Sequence, residues 1–193
     1  MSMTEERPQR ADARRNREAI LRAARHIFAK DGSQAQMDDV AKRAKVGVGT
    51  VYRHFPTKEA LFEALAVDKF DRLARFADEA MEIEDPWDSV VTFLKQAAAM
   101  HASDRALSEV FRDHGDFMVG TAQDCGLTDL GDRLVQRAQA AGVLRKDIRG
   151  SDLGMICCSL GDLGAVPVWS WERMLDIVLD GLRPDGTQSE LSA

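Results

Sequence analysis

Apolar residues recur at spacings of three and four through nearly the whole chain, and no stretch reads convincingly as a strand. A chain patterned in this way buries its apolar surface as packed helices, so the sequence predicts an all-α fold of about nine helices. The spacing is clearest over 12–30, where Ile20, Ala24, Ile27 and Phe28 share one face and arginines occupy the other. Asp31-Gly32 closes that helix, Gly32 suiting the left-handed C-terminal conformation. Two pieces of only about two turns follow, Met37–Ala44 and Val48–His54. Pro56-Thr57 then breaks the chain, and Thr57 is placed to cap a long helix from Lys58 to about Met81.

The second half carries further helix signals. Asp85-Pro86-Trp87-Asp88 combines an N-cap, a proline at the first helical position and early negative charge, and its helix should reach about Met100. Ser103 is placed to cap another. Helices are also expected over Gly126–Ala141, stopped by Gly142, from Ser151 to about Leu160, and from about Ser170 to Leu182. Between Phe111 and Gly126 the pattern defines no element.

Composition excludes several classes. At 193 residues the chain can bury a substantial core. No run between charged residues exceeds nine positions, too short for the ~20 apolar residues of a membrane-spanning helix. The opening MSMTEERPQR has no apolar segment of a secretory signal. Three cysteines, with Cys157 and Cys158 adjacent, form no disulfide framework, and a cytoplasmic setting is expected. His101, His114, Asp113 and Asp116 lie near one another in sequence but lack metal-ligand spacing, so no metal and no cofactor is expected. No Gly-rich phosphate loop and no nucleophile motif points to an enzyme.

The net charge of -6 conceals a division. Met1–Lys58 holds 13 Lys and Arg against 7 Asp and Glu, whereas the remainder holds 13 against 25. A basic head on an acidic body suggests that the head meets a polyanion.

Two short helices joined by a tight turn are the pattern of a helix-turn-helix. Val40, Ala41, Val46 and Val51 have the apolar character its interior needs, and Ala41 is small where the helices cross. The second short helix begins with Gly47, Val48, Gly49 and Thr50, small residues that let its backbone approach a major groove. Tyr52, Arg53, His54 and Lys58 follow, with hydrogen-bonding and basic groups. The run from Arg17 to Leu65, above all VAKRAKVGVGTVYRHFPTKEAL, resembles the DNA-binding domain of TetR-family transcriptional regulators. The resemblance implies that Tyr52, His54 and Lys58 hold phosphates, while Val48, Gly49, Thr50 and Arg53 face or flank bases. Two positions depart from the family pattern: Gln36 stands where many members cap the first short helix with Ser or Thr, and Lys45 where Gly is common. A phosphate contact near Gln36 and a compensating positive charge at Lys45 are therefore expectations of their own. Arg14, Arg15 and Arg17 either reach DNA or form a solvated face.

These features predict a DNA-binding head over 1–57 with a basic N-terminal arm, and an effector-binding and dimerisation domain over 58–193. The expected partners are double-stranded operator DNA, a small-molecule effector and a second copy of the chain. Trp87, Phe93, Met100 and Phe111, with Met118 and Met155, are either core or the lining of an adaptable, largely apolar pocket. His101 and His114 would meet its polar groups. Leu153, Ile156 and Leu160, with Met174, Leu175, Ile177 and Val178, are candidates for a two-fold four-helix interface.

Overall fold

The computed structural model describes residues 6–31, 34–103, 115–163 and 170–184, and the side chains among them except at 6–10, 115–119 and 161–163. Among the described residues the regular elements are nine helices: α1 (Glu6–Asp31), α2 (Met37–Ala44), α3 (Val48–His54), α4 (Lys58–Met81), α5 (Pro86–Ser103), α6 (Gly115–Asp124), α7 (Leu127–Ala140), α8 (Gly150–Leu163) and α9 (Trp171–Leu182). None is long and apolar enough to cross a membrane. The chain divides into two compact units, Met1–Val67 and Asp68–Ala193.

In the first unit α1 packs on α2 and α2 on α3. Ile20, Ala24 and Phe28 of α1 are buried, as are Val40 and Ala41 of α2, Val51 of α3, and Leu61 and Leu65 of α4. The Phe28 and Phe62 rings stand 4.4 Å apart between centroids. That aromatic contact ties the start of α4 to α1, and the division between the two units falls inside α4. The basic segment expected as an arm is helical from Glu6 onwards. Pro8 is compatible with that, because first-turn positions need no intrahelical N–H donor. Gly32 lies outside the described residues.

In the second unit α5 packs most extensively on α8, α7 packs on both, and α9 packs on α5 and α8. Leu94, Leu134, Leu144, Leu153 and Leu175 are its most deeply buried large side chains. Sequence-legible caps hold the ends: Thr57 Oγ1 accepts from Ala60 N at 3.1 Å, and Asp85 Oδ1 accepts from Trp87 N and Asp88 N, both at 2.8 Å. Ser170 Oγ accepts from Arg173 N at 3.1 Å. The guanidinium of Arg137 donates to the carbonyls of Met81 (2.9 Å), Ile83 (2.6 Å) and Glu84 (2.8 Å), satisfying acceptors where α4 ends.

Three expectations change. α6 occupies part of the stretch that had no legible pattern. Ser103 ends α5, donating its hydroxyl to Met100 O at 2.8 Å, and the helix expected beyond it lies outside the described residues. Ser151 does not cap α8, which starts at Gly150. There Asp152 Oδ2 accepts from Arg149 N at 2.8 Å, and Gly150 N donates to Asp132 Oδ1 at 3.1 Å.

The crossing of α7 and α8 depends on bare backbone. A Cβ on Gly150 would stand 2.6 Å from Asp132 N and 2.8 Å from the Gly131 carbonyl carbon, closer than real contacts allow. Gly150→Ala should therefore destabilise the protein by roughly 1–3 kcal/mol, read as a lower urea midpoint. Gly154→Ala is the control: a Cβ there meets nothing within 4 Å, and replacing a helical glycine should raise stability by about 0.5–1 kcal/mol.

Candidate functional site

The turn between α2 and α3 is closed by two backbone bonds, Val46 N to Ala41 O at 3.1 Å and Lys45 N to Lys42 O at 3.2 Å. Lys45 holds φ 58 and ψ 39, so the position where glycine would be easiest is left-handed with a side chain. That conformation costs about 1 kcal/mol and projects an exposed ammonium. Gln36 makes no cap to α2, and its amide instead donates to Gln34 O at 2.9 Å.

Only Val51 of α3 is buried, and the rest of the helix is exposed or half-buried. Val48 and Tyr52 are 43% and 47% exposed. Gly47, Gly49 and Arg53 are exposed, and Thr50 is half-buried. A Cβ on Gly49 would meet nothing within 4 Å, and one on Gly47 only Thr50 Oγ1 at 3.9 Å. The protein's own packing does not require either glycine.

Cations border this face. Lys58 Nζ lies 5.6 Å from the Phe28 ring centroid and 5.8 Å from that of Phe62, which fixes its stem at the start of α4. Arg17 stacks over Phe55 at 5.4 Å. Arg14 pairs with Glu18 at 3.8 Å and Arg15 with Asp12, exposed pairs that leave both guanidinia at the surface. His54 is half-buried; burial, then the charges of Arg53 and Arg17, lower its pKa. Its Nε2 has no hydrogen-bond partner among the described residues.

The second unit holds a cavity of about 480 Å³ lined from α4, α5, α6, α7 and α8. Of the expected pocket residues, Phe93, His101 and Met155 line it. Trp87 and Met100 are not among the described lining residues: the Arg183 guanidinium lies 3.8 Å from the Trp87 ring centroid, and Met100 is buried in the helical core. Phe111 and His114 lie outside the described residues, as does the side chain of Met118. Lys69, which the sequence pattern did not single out, is only 2% exposed and lines the cavity with Phe70 and Leu73. Its signal was position: it stands three residues after Ala66 and four before Leu73, in register with the buried stripe of α4.

The expected interface residues separate into two sets. Leu153, Leu160 and Leu175 are at most 2% exposed and belong to the core of their own chain, so they are withdrawn from any interface. Met174 and Ile177 are exposed at 43% and 58%, and Ile156 and Val178 are half-buried. Cys157 is buried, which pushes its thiol up to about 12, while its neighbour Cys158 is exposed. No three His, Cys, Asp or Glu side chains among the described residues form a metal-ligand cluster.

Two family models match the chain. One, bacterial regulatory proteins of the tetR family, covers residues 20–65, and the other, the SbtR-like transcriptional regulator C-terminal domain, covers residues 85–184. A TetR transcription regulatory protein from Mycobacterium vanbaalenii, known as a crystal structure, is 35% identical with a TM-score of 0.70; the match covers 91% of this chain and 99% of that one. The HTH-type transcriptional regulator UidR of Escherichia coli strain K12 is 41% identical over 69 residues, 35% of each chain. The HTH-type transcriptional repressor KstR of Mycolicibacterium smegmatis is 43% identical over 68 residues, 35% of this chain and 33% of KstR. The matched segment thus spans about a third of each of these two curated relatives.

His101 beside the cavity makes stability depend on pH. Burial first, then the charge of Lys69, lowers its pKa from 6.5 to about 3. The unfolded chain therefore binds a proton that the folded chain refuses, and stability falls as pH drops below about 6.5. The loss approaches 1.4 kcal/mol per pH unit from this group, continuing towards pH 3. Urea midpoints at pH 7 and pH 5 should differ more for the native chain than for His101→Gln.

Proposed function

The chain belongs to the TetR family of bacterial transcriptional regulators, which act by binding DNA, and on that premise we propose that it is a ligand-responsive repressor binding a palindromic operator as a homodimer. The observation that carries the DNA-reading part is the bareness of α3 and its N-cap, where exposed Gly49 and Gly47 serve no internal packing. Their absent side chains let the helix backbone approach base edges, with Val48, Gly49, Thr50 and Arg53 facing or flanking the bases. Tyr52, His54 and Lys58 are assigned to phosphates, with Arg14, Arg15, Arg17, Gln36 and Lys45 as flanking contacts.

Residues 1–57 are assigned to DNA binding and 58–193 to dimerisation and effector binding. One head reads only a few base pairs, so specificity calls for two heads on a palindrome. The exposed apolar face of Met174, Ile177, Ile156 and Val178, with Met155 at 61% exposure, is suited to an isologous contact between α8 and α9 of two copies. The cavity of the second unit is assigned to a largely apolar effector. α4 begins with the phosphate-assigned Lys58 and also supplies cavity lining through Lys69, Phe70 and Leu73. An effector that favours the DNA-incompetent arrangement by about 100-fold supplies ~2.7 kcal/mol of coupling. Repression then results from operator occupancy, and a promoter reporter that falls when the gene is deleted would contradict it.

Three experiments test the assembly and the DNA face. Log K for the operator should fall linearly with log salt, and Lys58→Ala should weaken all sequences alike and reduce the slope by about one phosphate's share. Gly49→Val should keep its melting temperature and lose about tenfold or more in operator affinity, ~1.4 kcal/mol. Full affinity in that variant would remove α3 from the DNA face. For the dimer, light scattering should give twice the chain mass, and Met174→Asp should halve it without loss of helical circular dichroism.

A further inference from the structure

On the reading that the cavity takes the effector, its lining also specifies a class of molecule. Its volume of about 480 Å³ falls among ordinary small-molecule sites. Phe70, Leu73, Phe93 and Leu153 supply apolar lining. Among the described lining residues Lys69 is a cation and none is Asp or Glu. A lysine this buried is uncommon, and its charge is costly unless hydrogen bonds or an anion compensate it. Lys69 already has interactions within the protein, but an ammonium carries three N–H donors and can serve a ligand as well.

We propose that the cavity selects an amphipathic monocarboxylate, with its anionic head on Lys69 beside His101 and its apolar body along Phe70, Leu73, Phe93 and Leu153. His101 is neutral across the physiological range, so it adds a hydrogen bond and no second charge. A dianion would bring one negative charge more than this lining offsets. An amine would meet the ammonium as a like charge in a desolvated setting, and a neutral analogue would leave the ammonium's attraction unused.

Matched ligands test this on the full-length protein. Decanoate and 3-phenylpropionate are titrated by calorimetry, each beside the primary alcohol, the methyl ester and the amine of the same skeleton. The carboxylates should bind at least about tenfold more tightly than their neutral partners, and the amines most weakly. Lys69→Met should abolish the preference and Lys69→Arg should retain it, with circular dichroism melts reporting whether each variant folds. If neither variant folds, the matched series on the native chain decides alone. Equal or weaker binding of the carboxylates, no binding of any carboxylate at millimolar concentration, or a preference that survives in folded Lys69→Met would overturn the assignment. Operator release is measured separately for every ligand. Lys69-dependent binding without release leaves the ligand class standing and removes the regulatory reading. Release by the neutral analogues alone does the reverse.

Discussion

Helices of eight and seven residues do not persist alone in water, so α2 and α3 exist only because larger neighbours bury their apolar faces. That dependence shapes the first unit. Met37, Val40 and Ala41 supply the buried face of α2, Val51 the single buried position of α3, and Phe55 the buried stop just beyond it. With the anchor reduced to so few side chains, almost every other position of α3 is released from packing. Exposed Val48 and Tyr52, and glycines that face open space, are tolerated there because the fold asks nothing of them. The helix is presented by its neighbours and contributes little to holding them.

The second unit follows the opposite logic. Small residues there create space as well as contact. Gly131 and Gly150 let two backbones meet, and both also line the cavity, as do Ala97, Ala122 and Gly154. Gly131 and Gly150 serve the crossing of their helices, while larger side chains at Ala97, Ala122 and Gly154 would take up space in the cavity they line. Arg137 compensates at the margin, gathering the carbonyls at the end of α4 so that a cavity-lining helix ends with its acceptors satisfied.

What could be read from sequence divides along physical lines. Some starts governed by a local hydrogen bond were legible, as Thr57, Asp85 and Ser170 show, but Ser103 and Ser151 look the same in sequence, and the start of α8 is held by Asp152 instead. α2, α3 and α4 were legible to the residue, since breaks at the turn and at Pro56-Thr57 bracket them. Long-range coverage was not. Periodicity identifies an apolar face but not what covers it, so Leu153, Leu160 and Leu175 read like Met174 and Ile177 although the chain buries the first three itself. The adjacent cysteines divide in the same way: Cys157 is buried and Cys158 exposed, because successive helical side chains diverge by about 100°. Lys69 was hidden by its type: a lysine is read as surface, and only its register on α4 argued otherwise.

Lys58 and Lys69 both belong to α4, and their surroundings set different tasks for the same ammonium. Lys58 is half-buried beside aromatic rings at the start of the helix, where water and salt screen its charge. Two unit charges 4 Å apart are worth about 1 kcal/mol in bulk water but about 4 kcal/mol at the effective dielectric of a protein site. A screened cation attracts any phosphate backbone with little discrimination, so on the proposed assignment sequence choice falls to the α3 residues placed at the bases, Val48, Gly49, Thr50 and Arg53. At Lys69 the same chemistry, removed from water, can by itself separate an acid from its amide or alcohol. On the proposed assignments, the difference in burial between these two lysines of one helix makes Lys58 a contributor to affinity and Lys69 a discriminator of charge.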